Sequence, residues 1–153
     1  MATTSAGILL YRLASELEVL LVHPGGPFWA TKDDGAWSIP KGEFDQLAED
    51  PFEAATREFS EELGHPLPAS DPIALGEVTQ KGGKRVAAWA VAGDLDPGAV
   101  ESNTFEMEWP PRSGRMQRFP EVDRAQWCSI EVARRALNPA QVAFLDRLVE
   151  ALA

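Results

Sequence analysis

Among the 153 residues of the chain, Glu58, Glu61 and Glu62 are the ones whose type and spacing most directly suit chemistry. On a helix each residue advances about 100°, so spacings of three and four gather these carboxylates within an arc of about 100°. Like charges at such spacings repel, and no Lys on the same segment offsets them. Two compensations are open. One is a solvated acidic face screened by salt; the other is a divalent cation held by oxygen ligands, which suits Mg²⁺ or Mn²⁺ better than Zn²⁺. Between Glu43 and Glu62 there are eight acids and one base, Arg57, so this stretch carries −7 of the net charge of −10. Arg57 can pair with Glu53 and Glu61, each four residues away, leaving other carboxylates for a metal.

These residues need a helix to present them, and the signals for one agree over Pro51 to Leu63. Asp50 can cap it, Pro51 suits its first position, Glu53 completes a capping box and Gly64 ends it. Phe52, Ala55, Phe59 and Leu63 form the opposite, core-facing stripe. Strand patterns occur at Ser5 to Leu13, Glu18 to His23, Trp37 to Ile39, Ile73 to Gln80 and Arg85 to Val91. Gly82-Gly83 reads as a two-residue hairpin between the last two. Gln126 to Ile130 is a further short strand running into a helix near Ser129. A last helix spans Pro139 to Leu152, with Asn138 as cap, Gln141 third, and Val142, Leu145, Leu148, Val149 and Leu152 on one face. Strands alternating with helices imply an α/β fold, and with no repeat or linker the reading is one domain over residues 1 to 153.

The segment from Trp37, WSIPKGEFDQLAEDPFEAATREFSEELG, resembles the signature of the Nudix hydrolase family, MutT-like proteins included. Gly42, Glu49, Arg57, Glu58, Phe59, Glu61, Glu62 and Gly64 take the signature places, so the box spans about residues 42 to 65. Two departures stand out: six residues rather than five separate Gly42 from Glu49, and His65 replaces an aliphatic residue. The resemblance implies an α/β/α sandwich around a mixed sheet and hydrolysis of a phosphoanhydride by water with Mg²⁺ or Mn²⁺ bound. It assigns Glu58, Glu61, Glu62 and the Gly42 carbonyl to the metal and pairs Arg57 with Glu49. Glu58 or Glu61 can also orient the water. For the base it leaves Glu106, Glu108 and Glu121, with Glu121 favoured.

Pro40-Lys41-Gly42 and Lys84 before an apolar strand resemble the diadenosine tetraphosphate hydrolase branch, and Lys41 is suited to hold a phosphate oxygen. Ala125 falls where that branch stacks an aromatic on adenine, which speaks against dinucleotide recognition. Residues 102 to 121, interrupted by Pro and Gly, read as a loop that can carry an extended end. Trp109 there can stack on a base while Arg112 or Arg115 grips phosphate, or all three can serve packing and charge balance. Phe28, Trp29 and Lys32 carry the same two readings. The resemblance thus implies a nucleoside polyphosphate as the substrate class. The alternatives are a non-nucleotide such as inositol pyrophosphate, a non-catalytic nucleotide sensor on the same fold, or a structural domain that binds a partner through its last helix.

Composition sets outer bounds. With 14 Lys and Arg against 24 Asp and Glu, the chain is a poor match for a nucleic-acid backbone. No apolar run approaches the roughly 20 residues of a membrane helix. Cys128 is the sole cysteine, expected as a buried thiol, and a cytoplasmic setting follows as an expectation. A homodimer accords with the family resemblance. His23 and His65 lack metal-ligand spacing and read as packed or surface residues; Trp37, Trp89 and Trp127 read as core.

Overall fold

The computed structural model describes residues 3–153. Strands β1 (Thr4–Leu13) and β2 (Leu17–Pro24) are followed by a short β3 (Lys41–Glu43) and helix α1 (Pro51–Leu63). Then come β4 (Ile73–Thr79), β5 (Arg85–Ala92), β6 (Thr104–Glu108), β7 (Met116–Pro120), β8 (Val122–Ser129), α2 (Ile130–Ala136) and α3 (Val142–Ala151). The main sheet runs β4-β5-β1-β2-β8; β1 is parallel to β5 and its other neighbours are antiparallel, so the sheet is mixed. Along one edge β1 serves two partners: β2 pairs with Tyr11 to Leu13, whereas β3 pairs with Ser5 to Gly7. That division brings Gly42 beside the middle of α1.

Alternation along β1 and β2 separates two cores. Ile8, Leu10, Leu20 and Val22 face α1, where Ala55, Phe59 and Leu63 are fully buried, while Leu9, Val19 and Leu21 face α2 and α3 with Phe144, Leu145 and Leu148. The result is an α/β/α sandwich. α1 has the bounds its signals imply: Asp50 accepts from the Glu53 N–H at 3.1 Å, and Gly64 turns left-handed at φ 70° to close the helix.

Four expectations change. Trp37 to Ile39 forms no strand. Trp37 bridges Leu137 and Ser38 bridges Val22, so the chain steps between two elements without building a ladder with either. The β4-β5 turn holds three residues, Lys81 to Gly83, because the Gln80 N–H closes on the Lys84 carbonyl at 2.7 Å. Residues 102 to 121 are not a loop: β6 and β7 pair as a separate hairpin, with Pro110, Pro111 and Gly114 at its tip and Pro120 at the end of β7 opposite Thr104. The last helix opens with a 3₁₀ turn at Pro139–Gln141; Leu145 and Leu148 are buried as expected, joined by Phe144, while Val149 and Leu152 are exposed. No helix among the described residues is long and apolar enough to cross a membrane.

Candidate active site

The core stripe of α1 faces the sheet, and a flank of the helix lies against β3. Arg57 organises that flank. Its Nε and Nη2 fork onto Glu49 at 2.9 and 2.8 Å, and its Nη1 reaches Glu58 at 2.8 Å and Glu61 at 3.3 Å. The pairing with Glu53 expected from helix spacing gives way to Glu49, which the loop before α1 brings within a two-pronged geometry that a single-turn neighbour does not offer. The Arg57 hydrogen bond holds the Glu49 carboxyl below its ordinary range. Glu58, by contrast, is raised: burial outweighs the stabilising hydrogen bond from Arg57.

Gly42 faces Glu58. A Cβ on Gly42 would fall directly onto the Glu58 carboxylate, so glycine leaves the space in which that side chain lies. Glu61 is open to solvent and Glu62 points elsewhere. Burial and the Glu58 charge push the Glu62 carboxyl up to about 8, opposed by Lys41 through its charge and its backbone N–H. Burial also lowers the Lys41 ammonium and raises the Glu121 carboxyl. Glu62, Lys41 and Glu121 line one cavity of about 200 Å³ with Val22, Ser38 and Val122. A second cavity of about 230 Å³ shares Pro24, Ser38 and Lys41 with it and continues to Trp29, Lys84, Gln80 and Gln141.

The structure therefore brings Lys41, Lys84, Glu62 and Glu121 to one groove, with Gly42, Arg57, Glu58 and Glu61 along its helical edge. It does not bring Trp109, Arg112 and Arg115 there. Trp109 lies against Phe28 (ring centroids 5.7 Å, 77°), Arg112 sits at φ 61° with its N–H on the Glu108 carboxylate at 2.8 Å, and Arg115 is exposed. These three occupy the hairpin tip and line neither cavity. A wider depression of about 600 Å³ borders Thr4, Glu43 and Arg85 and contains none of the three glutamates.

Among the described residues no three carboxylates, His or Cys stand ready around a common point. The donor set nonetheless fits a hard divalent cation. It is all oxygen, and two of its carboxylates, Glu58 and Glu62, are disfavoured as anions by burial.

Two supports escaped sequence reading. Gln141, expected only at a helix start, is fully buried; its Oε1 accepts from the Ile39 N–H at 3.0 Å and its Nε2 donates to Gln80 at 2.8 Å. A polar residue just before an apolar helical face was the available signal. His23, fully buried, places Nδ1 2.8 Å from Asp123 and Nε2 2.6 Å from the Lys32 carbonyl, tying the 24–36 segment to β8. No local pattern marks that pairing.

The NUDIX domain family matches residues 1–148. An 8-oxo-(d)GTP phosphatase of Mycolicibacterium smegmatis is 35% identical in an alignment 130 positions long that covers 78% of this chain; the chain spans 38% of that relative's length. A Caenorhabditis elegans Ap4A hydrolase structure superposes with a TM-score of 0.69 over 97% of both chains at 22% identity. The NUDIX domain of Shewanella oneidensis NrtR, solved with ADP ribose, covers all of this chain and 90% of its own at 15% identity, with a TM-score of 0.68. At those identities the two structures speak for the fold alone. With the box residues disposed along α1 and β3 as described and the family match running nearly end to end, the chain belongs to the Nudix hydrolase family.

Proposed function

We propose that residues 1–153 act as one catalytic domain, a pyrophosphohydrolase that uses Mg²⁺ or Mn²⁺ to cleave a phosphoanhydride in a nucleoside polyphosphate. The observation that carries this reading is the shared groove. Carboxylates lie at one end (Glu62, Glu121, with Glu58 and Glu61 beside them), and two lysines, Lys41 and Lys84, extend it. An uncompensated acidic patch repels a polyphosphate, whereas cation-loaded carboxylates beside two ammonium groups attract one.

Glu58, Glu61, Glu62 and the Gly42 carbonyl would hold the cation, which when bound supplies a Lewis acid and lowers the pKa of water. Lys41 and Lys84 bind non-bridging phosphate oxygens and orient the chain of phosphates. Arg57 fixes the directions of Glu58 and Glu61 through its Nη1. Glu121, partly desolvated and next to Glu62, accepts a proton from the attacking water. A nucleoside triphosphate is favoured over a dinucleoside polyphosphate, because Ala125 falls where the resemblance to the dinucleotide-cleaving branch would put the aromatic that stacks on adenine, and it offers no ring. The resemblance to an 8-oxo-(d)GTP phosphatase supports the same choice. A reducing, cytoplasmic setting suits the sole, buried cysteine, Cys128.

Incubation with nucleoside triphosphates (8-oxo-dGTP among them), dinucleoside polyphosphates, nucleotide sugars and inositol pyrophosphates, with and without Mg²⁺, tests the proposal. The expected result is metal-dependent turnover greatest for a triphosphate. Turnover of the best substrate by Glu61→Gln at the wild-type rate would remove that residue from the mechanism, and turnover without any divalent metal would overturn the reading.

A further inference from the structure

The β6-β7 hairpin lies outside the groove, yet its stem is bonded to three parts of it. The Glu101 and Asn103 N–H groups donate to the carbonyls of Leu63 and Glu61 at 3.0 and 3.1 Å, closing the C-terminal turn of α1. The Asn103 carbonyl accepts from the Glu121 N–H at 2.9 Å, and Ser102 Oγ accepts from the Val122 N–H at 2.9 Å. The third connection is to the segment after β2. The Gly25 N–H donates to the Glu121 carbonyl at 3.0 Å. A Cβ on Gly25 would strike the Pro120 carbonyl, and one on Gly26 would stand 3.0 Å from the Phe105 ring, so both glycines let this segment lie flat against the hairpin.

The contact repeats farther out. Phe28, 60% exposed, meets Trp109 edge to face at the hairpin tip. The next residue, Trp29, lines the cavity that holds Lys41 and Lys84, with Lys32 Nζ 5.2 Å from its ring centroid. Trp109 lines neither cavity, and its ring is engaged by Phe28. We infer that the hairpin sets substrate affinity from outside the groove: Phe28 and Trp109 are positioning residues that hold Trp29 as the wall against which the aromatic base of a nucleoside polyphosphate packs. The inference rests on the function proposed above. An isolated short segment rich in Gly samples many conformations, and an aromatic pair that selects one removes an ordering cost otherwise met on binding.

The test uses the full chain labelled with fluorotryptophan, the Trp29 and Trp109 resonances being assigned with Trp29→Phe and Trp109→Phe. In Phe28→Ala the Trp29 line should shift or broaden in the free protein. The KM for the best nucleoside triphosphate should rise about 3- to 10-fold with kcat within about twofold, the pattern of lost preorganisation. Trp109→Ala should reproduce the change in the Trp29 line, and Trp109→Phe, which keeps a ring against Phe28, should restore it. The inference is overturned if the Trp29 line is the same in Phe28→Ala and Trp109→Ala as in the wild type. It is also overturned if GTP with Mg²⁺ moves the Trp109 line and leaves Trp29 unmoved, since Trp109 would then touch the ligand. If the Trp29 line responds to Phe28→Ala while no nucleoside triphosphate binds the wild type, the reading of the groove fails and the affinity role falls with it. A broken linkage and a wrong substrate thus give different spectra.

Discussion

Arg57 and Glu49, eight residues apart, meet in a two-pronged ion pair of 2.8 and 2.9 Å, and the remaining Nη1 of Arg57 reaches Glu58 and Glu61. One guanidinium therefore orients two of the carboxylates assigned to the cation. Lys cannot reproduce that fork. Arg57→Lys should lower kcat about 10-fold or more while costing less than about 1 kcal/mol of stability, because the pair is only partly buried. Steady-state kinetics beside urea denaturation separates the two effects; equal losses in both would refute the orienting role.

Gly42→Ala should be more damaging to activity than to folding. The added methyl meets the Glu58 carboxylate rather than backbone, so the carboxylate must leave its position. A fall in kcat/KM of about 100-fold is expected for a displaced metal ligand, with unfolding free energy changed by about 1 kcal/mol. Retention of full activity would show that Glu58 does not work from where it now lies.

Mg²⁺ should stabilise the folded chain by mass action, raising Tm in proportion to the logarithm of its concentration once the site is saturated. Glu61→Gln and Glu62→Gln should each reduce that rise, and a chelator should abolish both the rise and the turnover. The thermal shift is read without substrate, so it tests the carboxylate assignment independently of which nucleotide is cleaved.

Gln141→Leu removes the acceptor for the buried Ile39 N–H and the donor to Gln80. An unsatisfied buried N–H costs about 1–3 kcal/mol, and chemical denaturation should show a loss in that range. Because Gln80 lines the cavity with Lys84, KM should rise as well; a stability loss with unaltered KM would confine Gln141 to a structural role.

Burial, with the charges of Glu18 and Asp33, pushes the Cys128 thiol up to about 11. The thiolate is the reactive form, so iodoacetamide at pH 8 should modify native Cys128 about 100-fold more slowly than the urea-unfolded chain. The folded pKa lies above the unfolded one. The folded state therefore holds its proton longer, and this contribution to stability is complete below about pH 9 and lost as the pH rises toward 11. Cys128→Ala should flatten alkaline denaturation across that window.

What was legible in the sequence was local. The α1 helix is written in its own ends, Asp50, Pro51 and Gly64, and in a stripe of Phe59 and Leu63 whose period needs no partner to be read. The same periodicity placed the glutamates on one edge, and β1, β2, β4 and β5 followed from alternation over a few residues. What escaped depends on residues far apart along the chain. Glu62 shares its cavity with Lys41 and Glu121; His23 finds Asp123 a hundred positions on; Phe28 finds Trp109. The hairpin was read as a loop because Pro and Gly at its tip weigh on any short window, whereas the pairing of Phe105 with Phe119 is a cross-strand fact. Periodicity and capping are set by neighbours within a few residues, so the amino-acid order specifies them directly. Which side chains face one another across β3, β8 and the hairpin is settled by how the strands pair and how the two cores pack, and only the folded chain contains that information.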